Sequence, residues 1–179
     1  MSSLRAVILI LALALAGCAS GPSGNAAVPQ PARPVDLEQY LGRWYELARY
    51  ENSFERGCEG VTAQYSKRPD GMISVLNTCR DGAPDGKARA AEGRAKVVEG
   101  SDGAKLKVSF FGPFFGDYWV LDRADDYSWA IVGEPSGQYL WILSRDPAPG
   151  EAVIEAHIAR ARALGYDTAM IRRVKQPPA

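Results

Sequence analysis

The chain has 179 residues, a formal net charge of zero from 21 basic and 21 acidic side chains, and 46% hydrophobic against 23% charged residues. These are values of a single globular domain behind a leader, and the balanced charge without a basic run argues against nucleic acid as a partner. One histidine, His157, is too few for a histidine-rich metal site or for most histidine-dependent triads, so neither a metal nor a cofactor is expected.

Residues 1–17 carry one positive charge, Arg5, and an unbroken apolar run from Ala6 to Ala16, ending at Gly17 before Cys18. This is the pattern of a secretory signal peptide, too short to span a bilayer as a mature helix. Leu15-Ala16-Gly17-Cys18 resembles the lipobox of bacterial lipoproteins. That resemblance implies cleavage before Cys18 and acylation of its new N-terminal cysteine, and several acyl chains on one residue anchor stably where one would not. Ala19, rather than aspartate, follows Cys18, which in the lipoprotein sorting pattern implies the outer membrane, with the folded body facing the periplasm. Residues 18–34 are rich in Ser, Gly, Pro and Ala and read as a lipidated flexible tether, leaving 35–179 as the folded domain.

The first strand is expected at Tyr40 to Glu46, where Gly42 lets the chain turn in and Trp44 fills an apolar space. Cys58 and Cys79 form an even pair in an oxidising compartment. Alternating Val61, Ala63, Tyr65 and Ile73, Val75, Asn77 flank the turn-like Lys67 to Gly71, so the cysteines are expected to face each other across an antiparallel hairpin. A disulfide there closes a loop of about twenty residues and contributes roughly 3 kcal/mol. A redox-active pair would want a C-x-x-C spacing that is missing here. Five more short runs follow, at 89–98, 105–111, 117–122, 127–132 and 138–144, separated by Gly, Pro and Asp turns. The total is eight strands in an up-and-down antiparallel pattern, an all-β barrel able to hold one small ligand. A helix is predicted over 151–164, with Val153, Ile154, Ile158, Ala161 and Leu164 on one face packed outside the barrel, and 166–174 as a last strand or extended tail.

Several motifs then agree with one family. Gly42-x-Trp44-Tyr45-Glu46, Phe54-Glu55-Arg56-Gly57, Val61-Thr62-Ala63-x-Tyr65-Ser66, the Lys107 to Gly116 run K-V-S-F-F-G-P-F-F-G, Tyr118, and Tyr139 to Arg145 stand in the order found in bacterial lipocalins. The chain resembles that family over nearly all of its mature length. The resemblance implies a lipocalin barrel with an outer C-terminal helix, closed at one end by Trp44 beneath Arg145, with Gly42 at the turn. It also implies a hydrophobic ligand, a fatty acid or lysophospholipid, held for storage, transport or envelope maintenance. An interaction module, including a homodimer, and a lipid-modifying enzyme built on the same barrel are the alternatives.

Strand parity from Trp44 and Arg145 gives the expected lining: Glu46, Ala48, Tyr50, Val61, Ala63, Tyr65, Val75, Asn77, Val108, Phe110, Tyr118, Val120, Tyr139, Trp141 and Leu143 inward, with Tyr45, Leu47, Leu140 and Ile142 outward. Ligand contacts are expected from Ala48, Tyr50, Ala63, Tyr65, Val75, Asn77, Val108, Phe110, Tyr118, Val120, Tyr139 and Trp141. This lining is apolar and aromatic, suited to an acyl chain. Glu46 is expected to be hydrogen-bonded to Tyr65 or Tyr118, and His157 to serve helix packing. The four phenylalanines between Phe110 and Phe115 sit at the open mouth as lid, entry port, membrane tip or rim seal.

Overall fold

A computed structural model describes Gly24, Asn25, Ala27 and residues 29–177. The expected signal peptide and the lipidated Cys18 lie outside the described residues. Strands β1 (Gly42–Tyr50), β2 (Cys58–Lys67), β3 (Ile73–Asp81), β4 (Ala88–Val97), β5 (Lys105–Phe111), β6 (Phe114–Arg123), β7 (Trp129–Gly133) and β8 (Leu140–Ser144) pair antiparallel in chain order. Pairing of β1 with both β8 and β2 closes the eight into a barrel. Helix α1 (Leu37–Tyr40) precedes β1, and helix α2 (Glu151–Ala163) follows β8. A ninth strand, β9 (Ile171–Arg173), pairs with the upper part of β1.

Two apolar layers share the barrel wall. Trp44, Tyr65, Val75, Ala95, Leu106, Val120, Val132 and Leu143 pack inside. Leu47, Leu121, Ile131, Leu140 and Ile142 pack outside against Ala161, Ile154 and Ile158 of α2. Alternation along each strand sends successive side chains to opposite layers, which is why these strands are apolar on both faces under the helix. His157 is buried in that outer layer with its ring centroid 5.0 Å from that of Trp129, and burial lowers its pKa. Val153, expected on the packed face, is 40% exposed, because the contact face of α2 follows Ile154, Ile158 and Ala161 instead.

A bulge in β1 changes its parity. Glu46 pairs with Leu143 and Ala48 with Ile142, so Leu47 is the extra residue. Leu47 and Ala48 both face the helix layer, Arg49 turns inward, and Tyr50 turns out against Tyr166. Ala48 and Tyr50 therefore do not line the barrel as alternation predicts, and Val61, within the β2 bulge between Glu59 and Thr62, packs with Cys58 and Val174 instead of inside. Ala48 and Tyr50 stabilise the outer layer.

The residues leading into the barrel also differ from a free tether. Ala32 N donates to Leu121 O at 2.7 Å, and the Arg123 guanidinium donates to Pro34 O at 2.8 Å. Farther up, Gly24 O accepts from Tyr50 Oη at 2.6 Å and from Asp167 N at 2.9 Å, while Asn25 forms an isolated bridge to Tyr166. This lead thus runs along the outside of the barrel, from the level of the end of β1 down to α1.

Cys58 and Cys79 are disulfide-bonded, with Cα atoms 5.3 Å apart. They are not directly opposed: Cys58 pairs with Asp81, and Thr62 with Thr78. The turn between β2 and β3 is centred one to two residues later than the midpoint of the cysteines, and a β2 bulge between Glu59 and Thr62 brings the sulfurs into reach diagonally.

The closed end is built around one cation. Gly42 enters β1 with φ of +94°, a left-handed conformation that favours glycine. Trp44 is fully buried and its indole N–H donates to Tyr40 O at 2.8 Å. The Arg145 guanidinium lies 3.7 Å above the Trp44 ring and donates to the carbonyls of Arg43, Gln39 and Leu41. Cation-π attraction contributes about 0.5 to 2 kcal/mol, and the carbonyl bonds tie α1 and the start of β1 to the end of β8.

Arg145→Lys retains the charge but loses the planar fork, and denaturant unfolding should show a loss of about 2 to 3 kcal/mol. A change below a few tenths would remove this residue from its closing role. Replacing both Cys58 and Cys79 by Ala should cost about 3 kcal/mol, since the pair is 21 residues apart. Equal unfolding midpoints for the oxidised and reduced protein would contradict that.

Candidate functional site: the barrel interior and its mouth

Each antiparallel connection places one end of a strand at α1 and the other at the opposite rim. The 51–57, 82–87, 112–113 and 134–139 segments share the open end, away from Trp44 and Arg145. Tyr65, Val75 and Val120 are buried in the inner layer; Ala63, Val108, Phe110, Tyr118 and Trp141 are partly buried against it. Asn77, paired with Ala63 and Ala91, shares their face, and its Oδ1 is buried without a hydrogen-bond partner. Tyr139 sits at the rim, its ring parallel to that of Trp141 within 3° at 5.6 Å.

At the bottom, the phenols form a chain. Tyr40 Oη and Tyr65 Oη are each 2.8 Å from Tyr118 Oη. Burial raises all three phenol pKa values, so the rings stay neutral and satisfy each other. Tyr65 and Tyr118 are therefore not the partners of Glu46, contrary to the expectation from strand parity. Glu46 accepts instead from Arg49 at 2.8 Å, and both side chains are almost fully buried. Glu55, on the loop after β1, reaches into the same place: its Oε2 accepts from Trp141 Nε1 at 3.0 Å, and its backbone O accepts from Arg49 at 2.8 Å. Burial, and next the charge of Glu55, push the Glu46 carboxyl well above the ordinary carboxylate range. Arg49 Nε is left without a partner.

Arg49, Glu55, Tyr40 and Phe54 are the interior and rim groups that alternation misses. Arg49 arrives through the β1 bulge, Tyr40 from α1, and Phe54 and Glu55 from a loop. Phe54 caps the stack, with centroids 5.7 Å from Tyr139 and 6.5 Å from Trp141. The adjacency of Phe54 and Glu55 in a loop, an aromatic beside a carboxylate between two strands, was the signal available for them.

The wall is thinner on the far side. Ladder pairing between β4 and β5 covers Arg94 to Val97 only, leaving the upper half of β4 unpaired with β5. Phe110 fills the point of parting. A Cβ at Gly93 would come within 2.9 Å of its ring, so glycine is required there for the ring to lie against the β4 backbone. A cleft of about 180 Å³ opens outside it, lined by Arg68, Ser74, Glu92, Arg94 and Phe110 among others. That volume is below the several hundred Å³ usual for small-molecule sites, so this cleft is not itself the ligand cavity.

The lipocalin-like domain family matches residues 35–176. Outer membrane lipoprotein Blc of Vibrio cholerae is 44% identical over 178 residues, covering 97% of this chain and 99% of that protein. Apolipoprotein D of Rattus norvegicus is 38% identical, with 79% and 80% covered. Among solved structures, insecticyanin from the tobacco hornworm Manduca sexta superimposes with a TM-score of 0.66 over 88% of each chain at 20% identity, a likeness of fold. The closed eight-stranded barrel, its Trp44–Arg145 floor, its outer helix and these similarities together establish that the chain belongs to the lipocalin family.

Proposed function

We propose that this lipocalin is an outer-membrane lipoprotein, cleaved after Gly17 and acylated at Cys18, which takes the acyl chain of a fatty acid or lysophospholipid into its barrel for lipid storage, transport or envelope maintenance. The observation that carries the ligand reading is the inner surface: aliphatic and aromatic from Val75 and Val120 up to Trp141 and Tyr139, with a carboxyl–guanidinium cluster high on one wall. An apolar tail would pack along Ala63, Val75, Val108, Phe110 and Tyr118. The unpartnered Asn77 Oδ1 and Arg49 Nε offer an acceptor and a donor to a polar head. Phe54 and Glu55 are the groups to be displaced, since they cover Trp141. The relatives named outer membrane lipoprotein support the anchor and the location.

A binding role is favoured over catalysis by the same inventory. Cys58 and Cys79 are consumed in the disulfide, and His157 lies under α2. Neither a free thiol nor an imidazole among the described residues faces the interior, so no thiol–imidazole or hydroxyl–imidazole pair is assembled there.

Saturable binding of a fluorescent fatty acid and of a fluorescent lysophospholipid is expected, weakened about ten-fold by Trp141→Ala, equivalent to one well-packed aromatic contact. Ala63→Trp should fill the lining and abolish uptake. Binding that survives Ala63→Trp unchanged would place the ligand outside the barrel. Lipids extracted from protein purified from its own membrane and identified by mass spectrometry name the ligand.

The raised Glu46 pKa has a signed consequence for stability. The folded state holds a proton that the unfolded chain releases near the ordinary value of 4.5, so this contribution is complete below 4.5 and is lost as pH rises toward the folded value. Glu46→Gln should flatten the decline in unfolding free energy above pH 4.5. A variant with the wild-type slope would show that Glu46 is ionised against Arg49 in the fold.

A further inference from the structure

We infer that a lysophospholipid held in the barrel carries its phosphate head outside, between β4 and β5, with the head seated in the outer cleft against Arg94 and Glu92. The inference rests on the proposed uptake of an acyl chain and adds the place and the chemistry of the head, which that reading leaves open.

A phosphate is ill-matched to the interior. Arg49 is the guanidinium there, and its terminal nitrogens already donate to Glu46, Glu51 and the carbonyls of Glu55 and Cys58. Only its Nε remains, close to the carboxyls of Glu46 and Glu55. That single donor suits an ester or hydroxyl oxygen. A phosphate placed beside it would give up its hydration and face two carboxyls for one guanidinium.

The wall is interrupted on the opposite side. Strand β4 pairs with β3 from Ala95 up to Ala88, whereas its pairing with β5 stops at Arg94. The register of β5 against β6 shifts between Val108 and Phe111, a bulge that contains Ser109 and Phe110. Phe110 thus lies above the last β4–β5 pair and within the β5–β6 bulge. Its ring belongs to two spaces, packing against the inner apolar layer and also lining the outer cleft. Across from it Gly93 presents backbone alone, with ring carbons 2.9 Å from where a Cβ would stand. One ring against a bare backbone is all that parts the interior from the cleft at this point. Ala91, next on the inward row, is small and exposed, and its partner across the ladder is Asn77. The Asn77 Oδ1 acceptor, which has no partner, suits the free glycerol hydroxyl of a lysophospholipid.

The cleft has the size and the charges of a head alone. At about 180 Å³ it is too small for a lipid and large enough for a phosphate with a small esterified alcohol. Arg94 and Glu92 share the outer face of β4, two residues and so about 7 Å apart along the strand. The Arg94 guanidinium stands 5.6 Å from the Phe115 ring centroid and gives a hydrogen bond to Gly112 O at 3.0 Å. Neighbouring charges pair among themselves, Arg68 with Asp70, Arg89 with Asp81 and Lys107 with Asp117. Arg94 and Glu92 are left without ionic partners among the described residues. Ser74, opposite Arg94 on β3, adds a hydroxyl to the same cleft. A cation and an anion at this spacing complement the phosphate and ammonium of an ethanolamine or choline phosphoester, and complement neither a carboxylate nor a purely anionic head.

The test uses the full chain carrying Cys18→Ser, which has neither acyl groups of its own nor a free thiol. Oleate, oleoyl lysophosphatidylethanolamine and oleoyl lysophosphatidylglycerol each compete against a fluorescent fatty acid. Arg94→Gln should weaken lysophosphatidylethanolamine about ten-fold, the loss of one charge-assisted contact, and oleate by less than about two-fold. Glu92→Gln should weaken lysophosphatidylethanolamine and strengthen lysophosphatidylglycerol, opposite shifts that a damaged fold would not produce. A nitroxide on Lys96→Cys, beside the cleft on the outer face of β4, should broaden the phosphorus signal of bound lysophosphatidylethanolamine beyond detection. The same label on Arg56→Cys, in the loop at the mouth, should leave that signal visible. Equal losses for oleate and lysophosphatidylethanolamine on Arg94→Gln, shifts of one sign on Glu92→Gln, or stronger broadening from Arg56→Cys would overturn the proposal and return the head to the mouth. Failure of the unaltered chain to bind any of the three would instead remove the barrel reading itself, a result distinct from binding that ignores Arg94.

Discussion

The barrel depends on Arg145 being held over Trp44. One guanidinium supplies a cation to an indole face and fixed N–H donors to carbonyls of α1 and early β1, so the last strand of the barrel is tied to the first at a single point. A lysine ammonium has no fork to spread over several carbonyls, and an apolar residue would leave those carbonyls to find other donors. With that point set, Trp44 faces inward and the register of β1 against β2 and β8 follows.

From the floor upward, the interior changes character. The lowest layer is aliphatic and aromatic, with three phenols satisfying one another. Above it the β1 bulge swings Arg49 inward beside Glu46, and the following loop returns Glu55 to the same spot. Burying these charges costs several kcal/mol per ion unless each finds partners, which explains the dense bonding of Arg49 and the upward push on the Glu46 carboxyl. The cluster also latches the loop that carries Phe54 over the Trp141 stack. Access to the interior is thereby coupled to a polar network instead of being set by apolar packing alone.

The outside of the barrel is used as fully as the inside. Helix α2 covers one wall, β9 pairs with β1, and the proline-rich lead is held to β6 by the backbone hydrogen bond from Ala32 N to Leu121 O and by the Arg123 guanidinium on Pro34 O. Proline at residues 29, 31 and 34 removes N–H donors that would otherwise need partners, while Ala32 N keeps the one that reaches Leu121.

Sequence by itself determined the number and order of strands, the outer helix and the disulfide pair, because hydrophobic period and turn residues are local signals, while the Trp44–Arg145 floor followed from the resemblance of the motifs to the lipocalin family. Most of the lining followed from counting by two from fixed points. What tertiary structure alone decided was everything that breaks that count or comes from outside it. The extra residue at Leu47 sent Ala48 and Tyr50 under the helix and Arg49 into the barrel, and no local feature of W-Y-E-L-A-R-Y marks where a bulge falls. Docking of residues 29–34 was likewise hidden, since their composition reads as a linker until the groove that receives them exists. A side chain's face is set by the ladder across from it, and that ladder is assembled from strands distant in the chain.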